Sequence, residues 1–68
     1  MENQKIKMTL EAARVNAGFT QEQVASMIGV RKETVSNWEK DIKKIKLGSF
    51  LQLCKIYNVD VNNIFFNN

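Results

Sequence analysis

The chain has 68 residues, 44% hydrophobic and 25% charged, with a formal charge of +3. That is one domain at most, close to the lower size at which a chain folds unaided, with the balance of a soluble globular protein. There is no histidine, no proline and a single cysteine, Cys54, which excludes an intramolecular disulfide, a Cys/His zinc site within one chain, and a Ser-His or Cys-His nucleophile pair.

No apolar run approaches the roughly 18 residues of a membrane span, and Met1-Glu2-Asn3-Gln4-Lys5 lacks the apolar segment of a signal peptide. The expectation is a reduced, cytoplasmic module that binds a partner, is not an enzyme and needs no cofactor or metal. Residues 1–8 show no period and are expected to form a mobile arm, or a short lead-in anchored by Met8. From Thr9, the expected N-cap, Leu10, Ala13 and Ala17 recur at helical spacing, and Gly18 ends this first helix. Arg14 falls inside the apolar stripe, where an unpaired cation is costly, so it requires a partner.

The second helix has the clearest start signal. Thr20-Gln21-Glu22-Gln23 reads as a capping box, with Phe19 and Val24 placed as a hydrophobic staple. Val24, Ala25 and Ile28 form its buried stripe, and Gly29 closes it. Val35, Trp38 and Ile42 then predict a third helix from Lys32 to about Lys40. After a longer connection, Leu47, Phe50, Leu51 and Cys54 begin a fourth, with Leu53, Ile56 and Tyr57 widening its stripe; a face that wide predicts the most buried helix. Asn58 ends it. Asp60 is expected to cap a short fifth helix carrying Val61, Ile64 and Phe65. The fold class is thus all-α, five short helices in one domain over residues 9–66.

Arg31, Lys32, Lys40, Lys43, Lys44 and Lys46 stand against Glu33, Glu39 and Asp41, a net +3 within residues 31–46, while the remaining four cations and four acids cancel. The whole excess therefore lies in one segment, which overlaps the third helix. Within the pair of second and third helices the spacing is Gln21, then Val24-Ala25, then Ile28-Gly29-Val30, then Val35 and Trp38. Ala25 is small where the third helix crosses close above it, and Gly29 supplies a turn that a Cβ resists. Val24, Ile28, Val30, Val35 and Trp38 fill the wedge between two steeply crossed helices.

This arrangement resembles the helix-turn-helix of the lambda-repressor-like, Cro-repressor-type (XRE) family, from Thr9 to Phe65. The resemblance implies a five-helix DNA-binding domain with a helix-turn-helix at helices two and three. It also implies an ion pair between the first and third helices, matched here by Arg14 and Glu39, both read as structural. The sequence departs from the family's pattern at three places. Arg31 replaces a common Ser or Thr cap, Asp41 a common Gly, and Lys44-Ile45-Lys46 a lead-in that often contains proline.

If Val35 and Trp38 face the core, 100° per residue puts Glu33, Ser36, Asn37 and Lys40 opposite, with Lys32 at the N-terminal flank. Such a helix reads the major groove with its N-terminal part. Lys32 is matched to guanine, Asn37 to adenine and Glu33 to cytosine, with Ser36 auxiliary and Arg31 reaching a base edge or a phosphate. Gln21, Lys40, Lys43 and Lys44 are the expected phosphate contacts. Trp38 at helical spacing reads as core rather than a stacking platform, Cys54 as an inert packed thiol, and Tyr57 as core with its hydroxyl toward solvent.

The leading expectation is a sequence-specific repressor of phage or mobile-element type without an effector domain, bound as a homodimer to a palindromic double-stranded operator. Phe65 and Phe66 would form the self-association surface. The alternative is a protein-interaction module on the same fold, an antitoxin-like or antirepressor subunit whose Phe65 and Phe66 bind another polypeptide.

Overall fold

The computed structural model describes residues 7–65. Four α-helices follow in chain order: α1 (Leu10–Asn16), α2 (Gln21–Ile28), α3 (Lys32–Lys40) and α4 (Leu47–Tyr57). Single 3₁₀ turns lie at Ile42–Lys44 and Val61–Asn63.

Local chemistry sets the helix ends. Thr9 caps α1, its hydroxyl accepting the Ala12 N–H at 3.1 Å. Gly18 follows at φ +86°; its N–H reaches Val15 O, and Phe19 N–H reaches Arg14 O, which closes a Schellman turn. Thr20 and Gln23 form the complete capping box of α2, with both reciprocal bonds present. Gly29, at φ +77°, ends α2, and a Cβ there would meet nothing within 4 Å. Conformation, not space, is what favours glycine at this turn.

Arg31 stands at the N-cap of α3 without any side-chain capping bond. The exit from α3 follows from Asp41 in place of glycine. Asp41 is extended (φ −147°, ψ 95°), and its carboxylate accepts the Lys43 N–H at 3.2 Å, capping the 3₁₀ turn. Asn58 takes the left-handed conformation that ends α4, at φ 57° and ψ 50°.

The buried core draws on every helix: Leu10 and Ala13, Val24 and Ala25, Val35 and Trp38, then Ile42, Phe50, Leu53, Cys54, Tyr57 and Ile64. Phe19, Ile28 and Val30 pack against it from the helix-turn-helix side.

Three expectations require correction. The fifth helix is not formed: Val61–Asn63 is one 3₁₀ turn, capped by Asp60 through Asn62 N–H at 2.8 Å. Beyond it the chain is extended, because Met8 pairs with this segment, Met8 N–H donating to Asn63 O and Phe65 N–H to Met8 O. In extended chain, neighbours point to opposite sides, so Ile64 is buried at 2% while Phe65 is 46% exposed. This pairing also makes Met8 part of the folded unit; residues 1–6 lie outside the described residues.

The second correction concerns α4. Its buried stripe is Phe50, Leu53, Cys54 and Tyr57, whereas Leu47 and Leu51 lie outside, 71% and 47% exposed. The third concerns Tyr57, whose hydroxyl is buried and has no hydrogen-bond partner among the described residues.

Candidate nucleic-acid interface

The site is built on α3, whose Val35 and Trp38 are buried and whose opposite side faces solvent. Arg31, Lys32, Glu33, Asn37 and Lys40 are exposed and Ser36 is half-buried. Two turns of one helix thus bring five of the residues read from sequence onto a single accessible side. Arg31 joins them from the cap position.

Beneath α3 lies a polar anchor that ties three helices together. Arg14 of α1 donates from Nε to Glu39 Oε2 at 2.7 Å, with a longer 3.4 Å contact from Nη2 to Oε1. Arg14 Nη1 donates to the Phe19 carbonyl at 2.8 Å. The side chains are only 11% and 6% exposed. In this sheltered setting the hydrogen bond to Glu39 raises the Arg14 pKa further, against the opposing effect of burial. The pair answers the demand that Arg14 makes on the fold, since an unpaired buried guanidinium would be strongly destabilising.

Gln21 enters the same anchor. Its Nε2 donates to Glu39 Oε1 at 2.8 Å, which leaves one amide hydrogen for an outside acceptor. Sequence reading missed this bond, because eighteen positions separate residues with no shared periodicity. At the start of α2 the capping box uses the Thr20 and Gln23 N–H groups. The N–H groups of Gln21 and Glu22, in the first turn, have no acceptor within the helix. Together with the remaining Gln21 amide hydrogen they form a set of donors at the N-terminus of α2 that the helix itself does not use.

On the other side of α3, Lys40, Lys43 and Lys44 are all exposed, and so is Lys46 at the N-cap of α4. Lys46 belongs to the same basic segment but was not singled out from sequence. Lys32 makes a second contact invisible in sequence, its Nζ lying 3.7 Å from Glu22 Oε2 across the α2–α3 turn. Phe65 is half-exposed at the far end of the chain, and Phe66 lies outside the described residues.

A shallow groove of about 430 Å³ runs along α2, lined by Phe19, Glu22, Gln23, Ser26 and Met27, with no residue of α3 in its wall. Among the described residues there is no cluster of three or more potential metal ligands, and no helix is long and apolar enough to cross a membrane. Burial raises the Cys54 thiol pKa, with the Asp60 charge adding to it, so the thiol is protonated and inert.

The Helix-turn-helix family model matches residues 10–63. The chain is 32% identical over 53 residues to the HTH-type transcriptional regulator ImmR of Bacillus subtilis (strain 168), covering 78% of this chain and 42% of that protein. The chain therefore spans less than half the length of this curated relative. No solved structure gives a significant match. The matched span runs from the start of α1 to the last 3₁₀ turn and so takes in the buried anchor as well as the α2–α3 pair: the chain belongs to the XRE-type helix-turn-helix family.

Proposed function

We propose that this chain is a sequence-specific double-stranded DNA-binding transcriptional regulator, a repressor of phage or mobile-element type, that lays α3 in the major groove. The observation that carries the reading is the coincidence of two features. The solvent face of α3 is polar from Arg31 to Lys40, and the chain's entire net charge falls in residues 31–46 around it. The relative named as a transcriptional regulator supports the same reading.

In this arrangement Lys32 donates to guanine O6 and N7, Asn37 pairs with adenine, and Glu33 accepts from the cytosine amino group. Arg31 reaches a base edge or an adjacent phosphate, and Ser36 assists. Gln21 with the first N–H groups of α2 holds a phosphate on one side, while Lys40, Lys43 and Lys44 hold the other strand. A two-fold pair of such domains on a palindromic operator doubles the sequence read, with the region around Phe65 and Phe66 as the self-association surface. Repression then follows from occupancy of the site.

Binding-site selection from a random duplex library at two salt concentrations tests this reading. A defined consensus should emerge, with log affinity falling by about 0.9 per phosphate neutralised for each log unit of salt. Replacing Lys32 or Asn37 should relax preference at single positions, by about 1–3 kcal/mol each. Equal affinity for every duplex would refute it. If a polypeptide then bound through Phe65 and Phe66, the protein-interaction alternative would replace it.

A further inference from the structure

We infer that Glu22 is the positioning residue for Lys32, and that it sets sequence discrimination without itself reading a base. The inference rests on Lys32 being a base-reading residue. Lys32 opens α3, and its ammonium lies 3.7 Å from the Glu22 carboxylate on α2. Both side chains are about half or more exposed, 52% and 67%, so the pair stands on the open surface of the helix-turn-helix.

Glu22 is well suited to be the fixed member. It lies in the first turn of α2, whose start is held by the two reciprocal Thr20–Gln23 bonds. A carboxylate at that position also interacts favourably with the partial positive charge of the helix N-terminus. The α2–α3 connection is only Gly29, Val30 and Arg31, and both Gly29 and Val30 N–H groups are bound to Ala25 O. The platform carrying Glu22 is therefore rigid relative to the base of Lys32.

Lysine is a flexible point charge with much rotamer freedom to lose on binding. An ammonium has three donors. One directed at Glu22 leaves two for the paired acceptors of a guanine edge, so the side chain meets the groove already restricted. Without Glu22, Lys32 is free to satisfy itself on any nearby phosphate, a contact that carries no sequence information. The carboxylate also repels phosphates at large. Its removal thus has two opposite effects: general affinity rises while discrimination falls.

The test measures affinity for the selected operator and for a scrambled duplex, at one salt concentration, for four proteins: wild type, Glu22→Gln, Lys32→Met and the double variant. Thermal unfolding verifies that each is folded. Glu22→Gln should bind the scrambled duplex more tightly and lower the operator-to-scrambled ratio by about 1.5- to 5-fold, the range an exposed ion pair supports. In the Lys32→Met background the same change should leave that ratio unaltered.

An unchanged ratio in Glu22→Gln, while Lys32→Met lowers it, overturns the inference and leaves the DNA-binding reading standing. So does an equal fall in both backgrounds, which would be charge repulsion alone. A stability cycle on the same four proteins without DNA reports the ion pair separately. Coupling there, with a ratio unaffected by Lys32→Met, overturns the base-reading role of Lys32 and this inference with it.

Discussion

Removing one member of the Arg14–Glu39 pair should cost far more than removing both. Among the described residues, Glu39→Ala leaves the Arg14 side chain, 11% exposed, with only the Phe19 carbonyl and a 4.0 Å approach to Glu11. It also strips Gln21 of its acceptor. Breaking such a pair from one side costs about 3–5 kcal/mol, because a buried charge is left uncompensated. A domain of this length has roughly 3–10 kcal/mol of total stability at the usual 0.05–0.15 kcal/mol per residue. Glu39→Ala, and equally Arg14→Met, should therefore be largely unfolded or close to it at room temperature. The double replacement Arg14→Met, Glu39→Leu removes both charges and fills the space with apolar atoms of similar volume, so its stability should lie within about 2 kcal/mol of wild type. Gln21, half-buried, can turn its amide to water. Urea titrations followed by Trp38 fluorescence, with Glu39→Leu as the matching single variant and analysed as a double-mutant cycle, should give a coupling energy of about 3 kcal/mol or more. Additive single-variant losses, or a Glu39→Ala loss below about 1 kcal/mol, would refute the reasoning by showing that solvent screens the pair.

Four further outcomes follow from three individual residues. The buried, unpartnered Tyr57 hydroxyl should make Tyr57→Phe more stable by about 1 kcal/mol, and a clear loss of stability would contradict the orphaned state. The same burial, reinforced by the Glu39 charge and opposed by Arg14, pushes the Tyr57 pKa up to about 12 from 10.0. Below pH 10, where the phenol is protonated in both states, stability does not depend on this group's titration, and it falls as pH rises from 10 to about 12 because the unfolded chain loses the proton first. At about 1.4 kcal/mol per pH unit this amounts to roughly 3 kcal/mol. Tyr57 is the chain's only tyrosine, so phenolate absorbance titrates it directly, and Tyr57→Phe should flatten this part of the stability profile. Gly29→Ala should cost about 1–2 kcal/mol through its positive φ alone; a much larger loss in denaturant melts would indicate a clash that the open space around Gly29 does not predict. Arg31→Ser should add a capping bond to α3 and raise stability by about 0.5–2 kcal/mol while weakening duplex affinity, so unfolding and binding measured side by side should move in opposite directions.

Most local structure was legible in the chain because short-range chemistry decides it. The Thr20–Gln23 capping box, the Gly18 and Gly29 helix ends and the Lys32–Lys40 span depend on residues within four positions of one another. The requirement that Arg14 find a partner was also readable, since a cation inside an apolar stripe must be compensated. The solvent face of α3 followed from Val35 and Trp38 by helical geometry.

Tertiary structure decided what adjacency in sequence cannot. Seven apolar residues of α4 cover too wide an arc to say which side meets the core, and only docking against the other helices left Leu47 and Leu51 outside. Helix and extended chain were both open to Val61–Phe65 until Met8, more than fifty positions away, supplied the hydrogen bonds that favour extension. The Gln21–Glu39 and Glu22–Lys32 contacts join residues on different helices, and their existence depends on how α2 and α3 cross. Capping and periodicity are properties of a single turn of chain and can be read in one dimension; side-chain contacts between helices depend on packing angles that the whole core sets at once.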